Sequence, residues 1–192
     1  YVPTNAPHGP YHVDPSYAEP YADSATWRNG VAANFYGMIA NIDENVARLR
    51  AKLKELKIEE NTILIFMTDN GTAAGVEMDI DALPEQGMGY NAGMRGRKAS
   101  VYDGGHRVPC FFHWPAGALT GGRDVPQLAA GYDILPTLID LCTLKDPGVA
   151  FDGRSLAPLL RGESAWPERE LVLQYQGGAH FSYAPAKWRD AL

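Results

Sequence analysis

Cysteine is scarce in this chain. Only Cys110 and Cys142 occur among its 192 residues, which fits neither a disulfide framework nor the CxxC spacing of a zinc site. Both are expected to be buried as small apolar side chains. Long apolar runs are missing as well: nothing approaches the roughly 18 consecutive apolar residues of a membrane-crossing helix, so no span is expected. There is no excess of positive charge. Seventeen lysines and arginines stand against 23 aspartates and glutamates, a net charge of −6, which argues against a nucleic-acid partner. Internal repeats and low-complexity tracts do not occur. What is present is ordinary globular material, 45% hydrophobic and 21% charged, long enough for one sizeable core.

Prolines at 3, 7, 10, 15 and 20 make the first 30 residues an irregular segment, too rich in proline for a helix. From Val31 the pattern changes. Val31, Phe35, Met38, Ile39, Ile42, Val46, Leu49, Leu53 and Leu56 recur at three- and four-residue intervals, which predicts one amphipathic helix ending near Lys57. Glu44 stands four residues before Arg48, the favourable order for a surface pair. Gly37 inside that helix costs about 1 kcal/mol relative to alanine, so close backbone packing is its expected reason. Residues 72–92 lack clear periodicity, and a stretch of that length between packed elements is either a functional loop or mobile. Pro109 to Trp114 reads as a short buried strand bounded by prolines. Tyr132 to Cys142 reads as a helix with Asp133 near its cap and Pro136 in its first turns. Leu171 to Tyr175 reads as a strand.

The most informative run is Thr62 to Gly71, TILIFMTDNG. Ile63, Leu64, Ile65, Phe66 and Met67 are apolar without alternation, which suits a strand covered on both faces in a parallel sheet. Asp69 and Asn70 follow at its carboxyl end, where open α/β sheets place their chemistry, and Gly71 frees the backbone for a turn. One charged and one neutral oxygen ligand side by side are what a Ca²⁺ or Mg²⁺ site takes from a strand end. Alone, Asp-Asn-Gly is more often just a turn.

Other segments extend the argument. NAPHGP at Asn5 to Pro10, ANFYGMIANIDENVARL before the strand, GMRGRKASVYDGGHRVP at Gly93 to Pro109, YDILPTLIDL and FDGRSLAPLLRG occur in that order. Together they resemble the second half of the catalytic domain of formylglycine-dependent sulfatases, of the alkaline phosphatase superfamily, over nearly the whole chain. The fold implied is an α/β, alkaline phosphatase-like sandwich, a mixed and mostly parallel sheet with helices on both faces, here as a partial domain. Residues 1–165 would be the second half of the catalytic domain, and 166–192 the start of a smaller C-terminal subdomain. Neither Cys110 nor Cys142 lies in the family's C/S-x-P/A-x-R motif, so the formylglycine nucleophile is expected outside these residues. The missing N-terminal half of the same domain is therefore an expected partner, and the chain alone is expected to be inactive. The resemblance accords with a periplasmic or secreted location.

Sulfate-ester hydrolysis must hold a tetrahedral anionic group, neutralise its oxygens and protonate the leaving group. Asp69 and Asn70 align with metal ligands of the family, implying Ca²⁺, with Mg²⁺ the alternative. Lys98 aligns with the active-site lysine, a compact charge against the ester. His8 aligns with the family's histidine, able to donate a proton near neutral pH. The substrate implied is a small-molecule or carbohydrate sulfate ester, with residues 72–92 and 176–185 as the candidate specificity loops.

Each assignment has an alternative. His8 could be a loop residue bonded to backbone. Arg95, Arg97 and Lys98 could form a solvated basic patch. The family more often has a small residue at Arg97 and glutamate at Asp103. Arg107 reads as a structural partner of a carboxylate such as Asp103, and His106 and His180 lie in glycine-flanked loops. The competing activities are phosphodiester or phosphonate hydrolysis within the same superfamily. There histidine typically replaces Asn70, because imidazole suits zinc and other transition metals. A non-catalytic binding domain of the same fold is the third reading.

Overall fold

A computed structural model describes residues 1–22, 31–73, 76–77, 88–89, 91–145, 147–163 and 166–173. The chain divides into two compact units. One comprises Tyr1–Glu55, Phe66–Cys110 and Val172–Leu192, the other Leu56–Ile65 and Phe111–Leu171.

In the first unit the proline-rich segment is more ordered than its composition suggests. It forms α1 (Pro15–Ala18) and a 3-10 turn at Glu19–Tyr21, each with proline in its first positions, where the missing N–H is no loss. Asp14 caps α1 by accepting the Ser16 N–H at 3.0 Å. The long helix α2 spans Val31–Glu55, as the periodicity predicts. Gly37 has the expected reason: a methyl group there would lie 2.9 Å from both the carbonyl carbon and oxygen of Tyr17. Tyr11 meets Phe35 edge-on at 5.9 Å, and the Tyr17 hydroxyl donates to Glu44. Arg48 in turn donates to Asn45 Oδ1 at 3.1 Å. Burial on the helix is confined to its early turns, at Ala32, Ala33, Phe35 and Met38, while Ile39 and Leu49 are exposed. The leading segment is too short to cover the rest of the stripe.

The strand β1 is Leu64–Met67, one residue shorter than the apolar run. Residues 76–77 and 88–89, in the stretch expected to be a loop, form β2 (Val76–Glu77) and β3 (Met88–Gly89), paired antiparallel with Val76 opposite Gly89. A single turn, α3 (Asp103–His106), precedes β4 (Cys110–His113). Among the described residues each sheet has two strands, β1 with β4 and β2 with β3.

The second unit continues through a 3-10 turn at Pro115–Gly117 and another at Gly131–Asp133 into α4 (Ile134–Leu141), followed by α5 (Ala157–Arg161). Its core is Leu119, Leu141 and Ala157, flanked by Ile63, Phe112, Trp114 and Leu160. Arg123 donates to the carbonyl oxygen of Leu159 at 2.8 Å and to that of Leu160, satisfying groups that a helix end leaves open.

Four expectations are corrected. Phe66 and Met67 are exposed rather than covered, because a two-stranded sheet cannot bury both faces of its strands. Phe111 in β4 is exposed for the same reason. Cys110 and Cys142 are both exposed free thiols. Residues 171–173 carry no regular structure, and the rest of that expected strand lies outside the described residues. Among the described residues no helix is long and apolar enough to cross a membrane.

Candidate functional site

Asp69, Asn70 and Gly71 leave the carboxyl end of β1 as a tight turn. The Asn70 N–H donates to Asp69 Oδ1 at 2.9 Å, and the Asn70 side-chain amide donates through Nδ2 to the Gly71 carbonyl at 3.0 Å. That second bond fixes the amide so that Oδ1, the harder ligand, keeps its lone pairs. Asp69 is exposed and Asn70 half-buried. A carboxylate and an amide oxygen on adjacent residues fit a hard divalent cation such as Ca²⁺ and offer two of the six to eight or so oxygens it takes. No cluster of three or more His, Cys, Asp or Glu occurs among the described residues, so this pair is a partial donor set.

Two backbone hydrogen bonds join this turn to the stretch carrying Lys98. The Gly71 N–H donates to Gly105 O and the Lys98 N–H to Thr72 O, each at 2.9 Å, while the Gly104 N–H closes that stretch on itself by donating to Arg95 O at 2.7 Å. The Lys98 side chain is half-buried. Asn91 organises the approach to it, its Nδ2 donating to Met94 O at 3.1 Å and Gly96 O at 2.6 Å. The Ser100 N–H donates to Arg97 O at 2.9 Å, and the Tyr102 N–H to Ser100 Oγ at 3.1 Å. The Arg95 guanidinium stacks 3.5 Å from the centre of the Tyr102 ring, so it is fixed on an aromatic face and not part of a free basic patch.

His106 is structural too, its Nε2 lying 2.9 Å from Val101 O. Arg107 meets Asp103 at 3.7 Å with both side chains exposed, the expected pairing in its weak, solvent-screened form.

His8 stands apart from these bonds. Its N–H donates to Asn5 O at 2.9 Å and its Nδ1 lies 2.8 Å from Gly9 O, between cis peptide bonds at Ala6-Pro7 and Gly9-Pro10. The side chain is exposed. The structure thus ties Asp69 and Asn70 to the backbone of Lys98 and holds His8 within its own loop. His180, residues 176–185 and most of 72–92 lie outside the described residues.

Two contributors were not anticipated from the sequence. Asn91 carries no local signal beyond its position before a glycine-rich run. Gly104-Gly105 did carry one, a doublet next to the site, which reads in sequence as mere spacing before Arg107.

The comparisons with known proteins agree with the resemblance. A family model described as Sulfatase matches residues 1–144. Steryl-sulfatase from Mus musculus is 36% identical over 138 residues, covering 71% of this chain and 22% of that protein. A solved structure of Ps i-CgsB in complex with k-i-k-neocarrahexaose superposes with a TM-score of 0.64 at 26% identity, covering 82% of this chain and 32% of that one. The phosphonate monoester hydrolase of Agrobacterium radiobacter superposes with a TM-score of 0.55 at 25% identity, covering 78% and 27%. The chain therefore spans between about a fifth and a third of the length of these proteins. Their shared fold is the alkaline phosphatase-like α/β architecture, of which this chain is a part.

Proposed function

The chain belongs to the sulfatase family of the alkaline phosphatase superfamily, and from that premise we propose that it supplies one part of a site hydrolysing an organic sulfate ester. Asp69 and Asn70 are two ligands of a Ca²⁺ ion, Mg²⁺ being the alternative. A divalent cation held there would polarise the sulfuryl oxygens. Lys98 faces the same group as a fixed positive charge. His8 protonates the leaving oxygen. With Nδ1–H directed at Gly9 O, its Nε2 is the nitrogen left to carry and give up that proton. The formylglycine nucleophile lies outside these residues.

The observation that supports this reading best is the Lys98 N–H to Thr72 O bond of 2.9 Å. It brings the Lys98 backbone to the residue two after Asn70, although 28 positions separate Lys98 from Asn70 along the chain. Small-molecule and carbohydrate sulfates both lie within the class: one relative is named a steryl-sulfatase and one similar structure holds a neocarrahexaose. Likeness to a phosphonate monoester hydrolase favours a second reading, phosphonate cleavage. Asn70 weighs against it, since an amide suits Ca²⁺ where imidazole would suit zinc.

The test joins the chain to the upstream segment that its relatives carry and offers a chromogenic aryl sulfate and a phosphonate monoester in parallel. Sulfate turnover should be the faster, should depend on added Ca²⁺, and should vanish in Asp69→Ala. Asp69 is exposed, so that substitution should change stability by no more than about 0.5 kcal/mol. Faster phosphonate cleavage would select the second reading. Binding of sulfated ligand without turnover would leave only a binding domain.

A further inference from the structure

Gly104 lies between two other glycines of the same unit. A methyl group on Gly71 would sit 1.7 Å from Gly104 O, and one on Gly104 would sit 2.0 Å from Gly96 O and 2.5 Å from Arg95 O. Gly96 needs its left-handed φ of 71°, but Gly71 and Gly104 do not adopt that region. What excludes a side chain at these two positions is space alone. Gly104 makes the point sharply, because it belongs to a helical turn, where alanine would ordinarily be preferred by about 1 kcal/mol.

We infer that the Gly71–Gly104–Gly96 stack is a positioning device that sets the distance between Asp69-Asn70 and Lys98. The turn bearing the two oxygen ligands touches Gly104 on one side, and the loop bearing Lys98 touches it on the other. Two hydrogen bonds, Gly71 N–H to Gly105 O and Lys98 N–H to Thr72 O, both 2.9 Å, keep the three segments in register. A single methyl at the centre pushes the ligand turn and the lysine loop apart together. Misplacement by about 1 Å is enough to cost an active site about 100-fold in rate. The inference deepens the hydrolase reading and rests on it for its catalytic meaning, while the geometry is testable without it.

The experiment compares amide hydrogen exchange in the unmodified chain with Gly104→Ala, Gly71→Ala and Gly131→Ala. Gly131 has open space where its methyl would go and serves as the control. In Gly104→Ala the Gly71 and Lys98 amides should exchange about tenfold faster or more, and by the same factor. The Cys142 and Leu160 amides, in the other unit, should not change. Gly71→Ala, whose methyl meets Gly104 O and so presses on the neighbouring contact of the same stack, should reproduce that pattern, and Gly131→Ala should not. Unchanged exchange at Gly71 and Lys98, or equal loss at Cys142 and Leu160, would overturn the inference. In the chain joined to its upstream segment, Gly104→Ala should lower kcat about 100-fold with KM changed less than about threefold. A purely structural defect would instead reduce the amount of active protein, leaving KM and kcat per active site alone. If the exchange pattern holds and even the unmodified extended chain turns over no sulfate ester, the hydrolase reading fails and the positioning stack stands.

Discussion

Arg169 grips the carboxylate of Asp133 with both terminal nitrogens from 36 residues further along the chain, Nη1 lying 2.9 Å from Oδ1 and Nη2 on Oδ2. Asp133 is fully buried and the Arg169 side chain is 5% exposed. The Ala130 and Arg154 N–H groups donate to the same carboxylate at 2.7 and 2.9 Å. Its backbone carbonyl accepts the Thr137 hydroxyl at 2.6 Å, and Thr137 Oγ1 accepts the Leu156 N–H at 2.8 Å. One residue thus ties together the segments before α4, before α5 and after α5. Burial alone would raise the Asp133 carboxyl. The hydrogen bonds from Arg169, Arg154 and Ala130 outweigh it and hold the group below the ordinary carboxylate range.

Arg169→Ala leaves that carboxylate buried without its counter-charge, a loss of about 3–5 kcal/mol. The unfolding midpoint in urea, followed by the fluorescence of Trp114 and Trp166, should fall accordingly. The pH dependence has a definite sign. A carboxyl whose folded value is depressed adds stability that is fully present above its unfolded value of about 3.9 and is lost as pH falls through the folded value. The unmodified chain should therefore lose stability on acidification below about pH 4 more steeply than Arg169→Ala. Equal acid slopes for the two proteins would show that the pair contributes nothing.

Gly37→Ala offers a case where helix propensity and packing oppose each other. Propensity favours alanine by about 1 kcal/mol, but the added methyl meets Tyr17 backbone at 2.9 Å, and overpacking of that kind costs about 1–3 kcal/mol. Packing should win. Circular dichroism melts should show Gly37→Ala less stable than the unmodified chain. A raised melting temperature would mean that α1 yields freely.

The contrast between these two sites explains what was legible in the sequence. The reason for Gly37 could be read beforehand because a glycine inside a strong 3.6-residue period needs a local explanation. The long helix and the strand before Asp69 were visible for the same reason, since each is a continuous pattern. The Asp133–Arg169 pair was not, because its partners lie 36 residues apart and nothing in PERE marks one arginine for burial. Asp133 reads locally as a cap and stands at the cap position of α4, but its side chain makes no capping bond there; it accepts the Ala130 N–H, and its main partner is distant. The burial of Phe66, Met67 and Cys110 was misjudged because hydrophobicity reports what would be covered by a full sheet, and two strands cover less; Cys142 is exposed at the end of α4. Within the candidate site, the residue types at Asp69, Asn70, Lys98 and His8 were legible, whereas the glycine contacts that fix their spacing are properties of backbone geometry.

On the proposed reading, in which Lys98 would neutralise the sulfuryl group and His8 would donate the proton, the two should separate by leaving group. Lys98→Ala removes charge from the sulfuryl group and should slow all substrates by a similar factor in the chain joined to its upstream segment. His8→Ala removes a proton donor and should slow esters of poor, high-pKa leaving groups by about 10²–10⁴-fold while sparing activated aryl sulfates. The measurement is kcat/KM across a series of leaving groups. A parallel drop across the series in His8→Ala would assign His8 to binding.

The chain by itself should neither turn over a sulfate ester nor remain monomeric at high concentration. On the proposed reading no turnover is expected, because Asp69 and Asn70 would offer two of the six to eight or so oxygens that Ca²⁺ takes and neither cysteine lies in the nucleophile motif that the resemblance implies. Association follows from a separate cause. Phe111 is 63% exposed on β4, a large apolar side chain in water that favours contact with another chain. A lysine at that position places a charge where association would bury it. Phe111→Lys should shift sedimentation profiles toward monomer while changing stability by no more than about 0.5 kcal/mol, since the side chain it replaces is mostly in water. Addition of the upstream segment in trans should have the same effect on association if that segment covers the Phe111 side chain. Persistent association in Phe111→Lys would place the sticky surface elsewhere, and turnover of a chromogenic aryl sulfate by the unmodified chain alone would show that the nucleophile lies within these residues.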